Sequence, residues 1–145
     1  MPRFKLRTLL GLVALCAVGS CTIGAFQNRV TYNATRESVW MRLPEDATRI
    51  NLFEPGAFGP NRYFEFDTSE ESFLTWVREI STVERADYPA PYTIHRYTKY
   101  APDADATYEV TIVNGHLFEW TEEDMGQYIA YDADAGRAYY WSHSR

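Results

Sequence analysis

Between Arg7 and Arg29 the chain runs for 21 residues without a charge, T-L-L-G-L-V-A-L-C-A-V-G-S-C-T-I-G-A-F-Q-N. A helix through residues 8–26 approaches the roughly 20 residues that cross a hydrocarbon layer of about 30 Å. It has no polar face with which to lie on a soluble core. Arg3, Lys5 and Arg7 precede it, and no acidic residue occurs before Glu37. A basic start followed by an apolar run is what membrane-targeting machinery reads. Three outcomes stay open. The run is an uncleaved membrane span; or Val18-Gly19-Ser20-Cys21 is a lipoprotein processing box that leaves Cys21 as a lipidated N-terminus; or the product is secreted and soluble. The basic residues hold the N-terminus on the cytoplasmic side, so each outcome puts the rest of the chain outside the cytoplasm, as a single-pass or lipid-anchored membrane protein in the first two.

Three of the 14 basic residues lie before position 8, so the remainder sets eleven basic against 20 acidic side chains, a net charge of -9. A nucleic-acid partner is not expected, because sequence-independent binding needs a basic face that displaces counterions. Cys16 and Cys21 are the chain's two cysteines and both lie in the apolar run. The outer domain therefore holds no disulfide and must be stable by packing. That is feasible, since a domain of about 115 residues buries roughly two-thirds of its unfolded surface.

The chain divides into a signal or anchor segment (1–28), a tether (29–42) and an extracytoplasmic domain (43–145). Alternation and turn residues predict strands over Thr48–Phe53, Arg62–Asp67, Tyr92–Lys99, Thr107–Val113, His116–Thr121, Gln127–Tyr131 and Arg137–Trp141. Asn114-Gly115 is read as a two-residue hairpin turn that sets Ile112 against Leu117 and Thr111 against Phe118. A second hairpin turns through Asp132–Gly136. One helix is expected after Thr68, capped by Thr68 with Glu71. Its apolar stripe is Phe73, Leu74, Val77 and Ile80, with Trp76 at the flank. The fold class is α+β: an N-terminal hydrophobic anchor helix, then a mostly antiparallel sheet of seven strands with one packed helix.

Three stretches carry a resemblance: Leu-Pro-x-x-Ala-Thr-x-Ile (Leu43–Ile50), Ser-Glu-Glu-Ser-Phe-Leu-x-Trp (Ser69–Trp76) and Tyr131–Tyr140, Y-D-A-D-A-G-R-A-Y-Y. Together they resemble small bacterial envelope-anchored proteins with no assigned activity, notably those of planctomycetes. The resemblance implies location and organisation and carries no functional residue.

Catalytic and metal signatures are missing. His95, His116 and His143 are far apart in sequence, without zinc-ligand spacing, and no metal or other cofactor is expected. Asp132-x-Asp134-x-Gly136 lacks the later ligands of a calcium loop and reads as an acidic hairpin turn. No G-x-S-x-G elbow occurs, and Ser142-His143-Ser144 lies in a C-terminal tail where geometry is hard to hold. Glu122-Glu123-Asp124 reads as a solvated turn. The distinctive feature is aromatic: all four Trp and all eleven Tyr fall beyond residue 28. Most are expected to fill the core. Tyr128, Tyr139, Tyr140 and Trp141 are the candidate binding surface, because neighbouring strand residues point to opposite faces. The function expected is a membrane-anchored extracytoplasmic binding or interaction module without catalysis, held to the membrane through residues 8–26, with an envelope protein or glycan as partner. The alternatives are a small envelope hydrolase using a Glu/Asp pair and a passive structural lipoprotein.

Overall fold

The computed structural model describes residues 29–54, 61–80, 90–96 and 109–144. The expected anchor segment with Cys21 lies outside these residues, as do the loop at 55–60 and positions 97–108 of the expected strands and turn. Strands are β1 (Arg29–Ala34), β2 (Thr48–Glu54), β3 (Asn61–Asp67), β4 (Tyr92–His95), β5 (Glu109–Ile112), β6 (Gly115–Glu122), β7 (Met125–Asp132) and β8 (Arg137–Ser144); the helix α1 is Glu70–Ile80. Six strands form one sheet in the order β1-β2-β3-β8-β7-β6, and β4 pairs with β5 in a second, smaller one. Every pairing is antiparallel. The fold is α+β. The seven strands read from the sequence are all present, and an eighth, β1, occupies part of the stretch expected to be a tether. Arg29–Ala34 pairs along β2, and Val39 and Leu43 are buried beyond it, so residues 29–42 belong to the domain.

Alternation along β3 sorts its side chains between two layers. Phe64 and Phe66 turn toward α1 and are fully buried with Phe73, Trp76 and Val77. Phe64 stacks on Tyr140 at 4.6 Å between ring centroids, and Phe66 meets Trp76 edge-on at 5.3 Å. Burying each such side chain stabilises the fold by about 1.5–3 kcal/mol. Trp76 is therefore central rather than flanking; its indole N–H donates to the Arg42 carbonyl at 2.7 Å, which ties residues 39–43 over the helix. The cap also differs from expectation. Ser69 Oγ accepts the Ser72 N–H at 3.3 Å, while Thr68 Oγ1 donates to Asp46 Oδ1 at 2.6 Å. Asp46 claims the Thr68 hydroxyl, so capping moves on by one residue. Asp46 also accepts the Ser69 N–H, at 3.0 Å. Burial pushes its carboxyl pKa up, but the hydrogen bonds from Thr68, Ser69 and Ser72 outweigh that and bring it down to about 2.

The opposite face of the sheet is covered as well. Ile94 of β4 and Ile112 of β5 pack on Phe53, Tyr63, Ala130 and Tyr139. This layer overturns the Asn114-Gly115 hairpin. β5 pairs with β4, Ile94 opposite Val110, and β6 pairs with β7, Leu117 opposite Ala130. Residues 113–114 instead carry the chain from one sheet to the other. Gly115 serves close approach, since a Cβ there would overlap the Tyr131 carbonyl oxygen. The hairpin that β6 does make turns at Glu123–Asp124, where Glu123 takes φ 49°. The β7–β8 hairpin forms as expected, with Asp132 opposite Arg137.

Candidate functional site

On the face covered by β4 and β5, Glu65 sits in the middle of β3 and is 2% exposed. A carboxylate this deep requires neutralising donors. It has five: the Tyr63 hydroxyl at 2.7 Å, Arg96 Nε at 2.7 Å, Arg96 Nη2, Arg137 Nη2 at 2.8 Å and Asn51 Nδ2 at 2.9 Å. Cross-strand register puts Arg137 opposite Asp67, whose carboxylate takes Arg137 Nη1 and Arg49. Burial pushes the Glu65 pKa up, but the Arg96 hydrogen bonds, the Arg137 and Arg96 charges and the Tyr63 hydroxyl more than reverse this, to about 2. The same anion and the same burial act on the phenols around it. Tyr63 is raised well above its ordinary value, and Tyr139 to about 12, in each case by burial first and Glu65 second. The space left beside this cluster, lined by Val30, Tyr32, Phe53 and Arg96 among others, is about 20 Å³. That admits about one water molecule.

The four nominated aromatics do not form one surface. Tyr139 and Tyr140 are 4% and 6% exposed. They do point to opposite faces, but both faces are covered, one by α1 and the other by β4 and β5. Tyr128 and Trp141 are half-buried and stacked on each other at 5.2 Å, and the His143 ring lies 4.4 Å from Trp141 on its strand. Tyr128 also donates to the His95 carbonyl at 2.6 Å. These rings are largely occupied with one another. Ser142-His143-Ser144 belongs to β8 rather than to a loose tail, and a Cβ at Gly126 would collide with the His143 ring.

The described groups hold no converging metal ligands. No cluster of three His, Cys, Asp or Glu residues forms among the described residues. Asp132 Oδ1 accepts the N–H groups of Asp134 and Ala135 at 3.0 and 3.2 Å, closing the turn on itself. His116 Nε2 lies 2.5 Å from Glu70 Oε1, linking β6 to the start of α1.

The exposed aromatic chemistry lies elsewhere. Trp40 is 40% exposed, set edge-on against Phe64 at 5.2 Å and Tyr140 at 6.1 Å, and the Arg62 guanidinium lies 5.4 Å from its ring centroid. Arg36, Glu37, Arg42 and Glu45 join it around a surface crevice of about 450 Å³. Arg36 is held in place by the carbonyls of Pro44 and Glu45, at 3.4 and 2.9 Å. None of Arg29, Arg36, Arg42 and Arg62 forms an ion pair with a described carboxylate. This crevice combines an exposed indole with arginines that no described carboxylate pairs.

Sequence reasoning missed both clusters. Glu65 carried a usable signal: an acid at the centre of a strand, flanked by Tyr63, Phe64 and Phe66, is a buried anion that needs cations. Arg96 and Arg137 are distant in sequence and gave none. Trp40 was hidden in the stretch taken for a tether. Comparison with family models, with curated proteins and with solved structures finds no match to this chain.

Proposed function

We propose that the chain is a membrane-anchored extracytoplasmic binding module with no catalytic chemistry of its own. The observation that carries this is continuity: β1 begins at Arg29, directly after the uncharged run, so a span through residues 8–26 leaves two residues before the domain and a lipidated Cys21 leaves seven. The buried carboxylate supports a non-catalytic role. Glu65 is locked between two guanidiniums, with no substrate-sized space beside it, whereas an acid or base must exchange a proton with a bound reactant. Glu65 and Asp67 lie two residues apart on one strand and share Arg137, an arrangement unlike two carboxyls facing across a cleft. The contact surface that remains is the Trp40 corner, where an indole and arginines offer apolar area and charge together. Envelope proteins, glycans and lipid headgroups are the classes of partner available outside the cytoplasm.

Alkaline extraction of membranes from cells making the full chain, combined with protease added outside spheroplasts, tests this. Retention in the membrane pellet with digestion of the domain is expected. Recovery of intact chain from the cytosolic supernatant overturns the proposal. Mass spectrometry of the mature N-terminus separates the two anchors, because only the lipoprotein begins with an acylated Cys21.

A further inference from the structure

We infer that the corner around Trp40 is where the outer domain rests on the bilayer that holds residues 8–26, with Arg29, Arg42 and Arg62 taking the anionic headgroups of its lipids. The inference rests on the tethered reading above and extends it to a defined surface. Its first support is where the chain enters the fold. Arg29 pairs with Glu54, and the pairing of Phe53 with Tyr63 sets Glu54 opposite Arg62. Arg29 and Arg62 thus stand in one row across the sheet, two strand spacings or roughly 10 Å apart. The uncharged run delivers the chain into that row.

Charge is the second support. The outer domain is acidic, and three of its other described arginines are held by carboxylates, Arg49 by Asp67, Arg96 by Glu65 and Arg137 by both, while Arg78 on α1 has no described ion pair. Arg29, Arg36, Arg42 and Arg62 at the Trp40 corner have no described ion-pair partner; the acidic residues beside them in the crevice and the row are three, Glu37, Glu45 and Glu54. Anionic headgroups in the leaflet that faces the domain attract arginines lying within a Debye length, roughly 10 Å, of them. Third, the Trp40 indole is fixed by Phe64 and Tyr140 with much of its surface outward, and indoles favour the boundary between headgroup and acyl chain. A second exposed tryptophan, Trp120, with Met125 beside it, adjoins Glu119 and the Glu122–Asp124 turn on the far edge strand, where an anionic leaflet would repel it.

The intrinsic fluorescence of the full chain provides the test. All four tryptophans lie beyond residue 28, so none reports on the anchor itself. The chain is reconstituted into phosphatidylcholine vesicles containing phosphatidylglycerol, with acyl chains brominated near the headgroup, and floated on a gradient. Quenching relative to unbrominated vesicles is expected, and Trp40→Phe should remove roughly half of it or more. Trp120→Phe should leave it. An Arg42→Gln/Arg62→Gln double variant, altered only at exposed side chains, should weaken quenching by roughly twofold. Flotation without quenching, or quenching untouched by both the Trp40 and the arginine variants, overturns the lipid contact while the tether stands, and would point to a protein on this corner. A chain that stays at the bottom of the gradient removes tether and contact together.

Discussion

Arg96 and Arg137 reach inward to one carboxylate, while Arg42 and Arg62 stand at the rim beside Trp40 with no described carboxylate to meet. The two pairs carry the same charge, and solvent makes them different. The inner pair lies beneath β4 and β5, where an unpaired charge would be costly, and both guanidiniums are hydrogen-bonded to Glu65. The rim pair is hydrated and needs no partner to be stable. The inner cluster therefore fixes how the small sheet sits on the large one, and only the rim cluster has charge to spare for something outside the molecule.

The sharpest way to break this contrast is Glu65→Gln. It leaves Arg96 and Arg137 facing a neutral amide and should cost about 3–5 kcal/mol, read from urea unfolding. A loss below about 1 kcal/mol would mean that water already reaches the cluster. Acid provides the same test without mutation. The Glu65 carboxyl falls from an ordinary 4.5 to about 2 in the fold. Its folded pKa is depressed, so its stabilisation is complete above the ordinary value and drains away as pH drops from about 4.5 toward 2, a loss of roughly 3 kcal/mol. Asp46 shifts in the same direction but is exposed, and solvent screening makes its share smaller. In Glu65→Gln the urea midpoint should be much flatter between about pH 6 and pH 3 than in the parent chain. Arg96→Gln removes one of two guanidiniums while Arg137, Tyr63 and Asn51 remain on Glu65, and about 1–3 kcal/mol is expected in the same assay. The smallest effect belongs to the rim. Arg42→Gln and Arg62→Gln should each move stability by no more than about 0.5 kcal/mol. A larger loss there would erase the distinction between the two clusters.

Strand positions were legible because alternation and turn residues are local. Arg62–Asp67 and Arg137–Trp141 declare themselves by their aromatic residues, and α1 by Phe73 and Val77 on one face. Partnership was not legible. Asn114-Gly115 satisfies every local rule for a hairpin, and only the long-range packing of Ile112 on the sheet shows that the chain crosses between layers there. Tyr139 and Tyr140 were placed on opposite faces correctly. Both enter the expected surface because the sequence does not say that β4 and β5 form a second cover. Trp40 failed for the opposite reason: its stretch lacks periodicity, and the contacts that order it, to Phe64 and Tyr140, lie far along the chain. The Glu65 site has the same character. Its anion could have been suspected from β3 alone, whereas its cations come from two other elements.

The crossing at residues 113–114 has a mechanical meaning. Ile112 is clamped under the small sheet and Gly115 is already in the edge strand of the large one. The two intervening residues form a bend, and the three Cα steps from Ile112 to Gly115 reach only about 10 Å even when stretched. A connection this short takes up little of a pull. A load applied along β6 passes directly into β5, and from β5 through its partner β4 to the residue that follows it, Arg96, in the grip of Glu65.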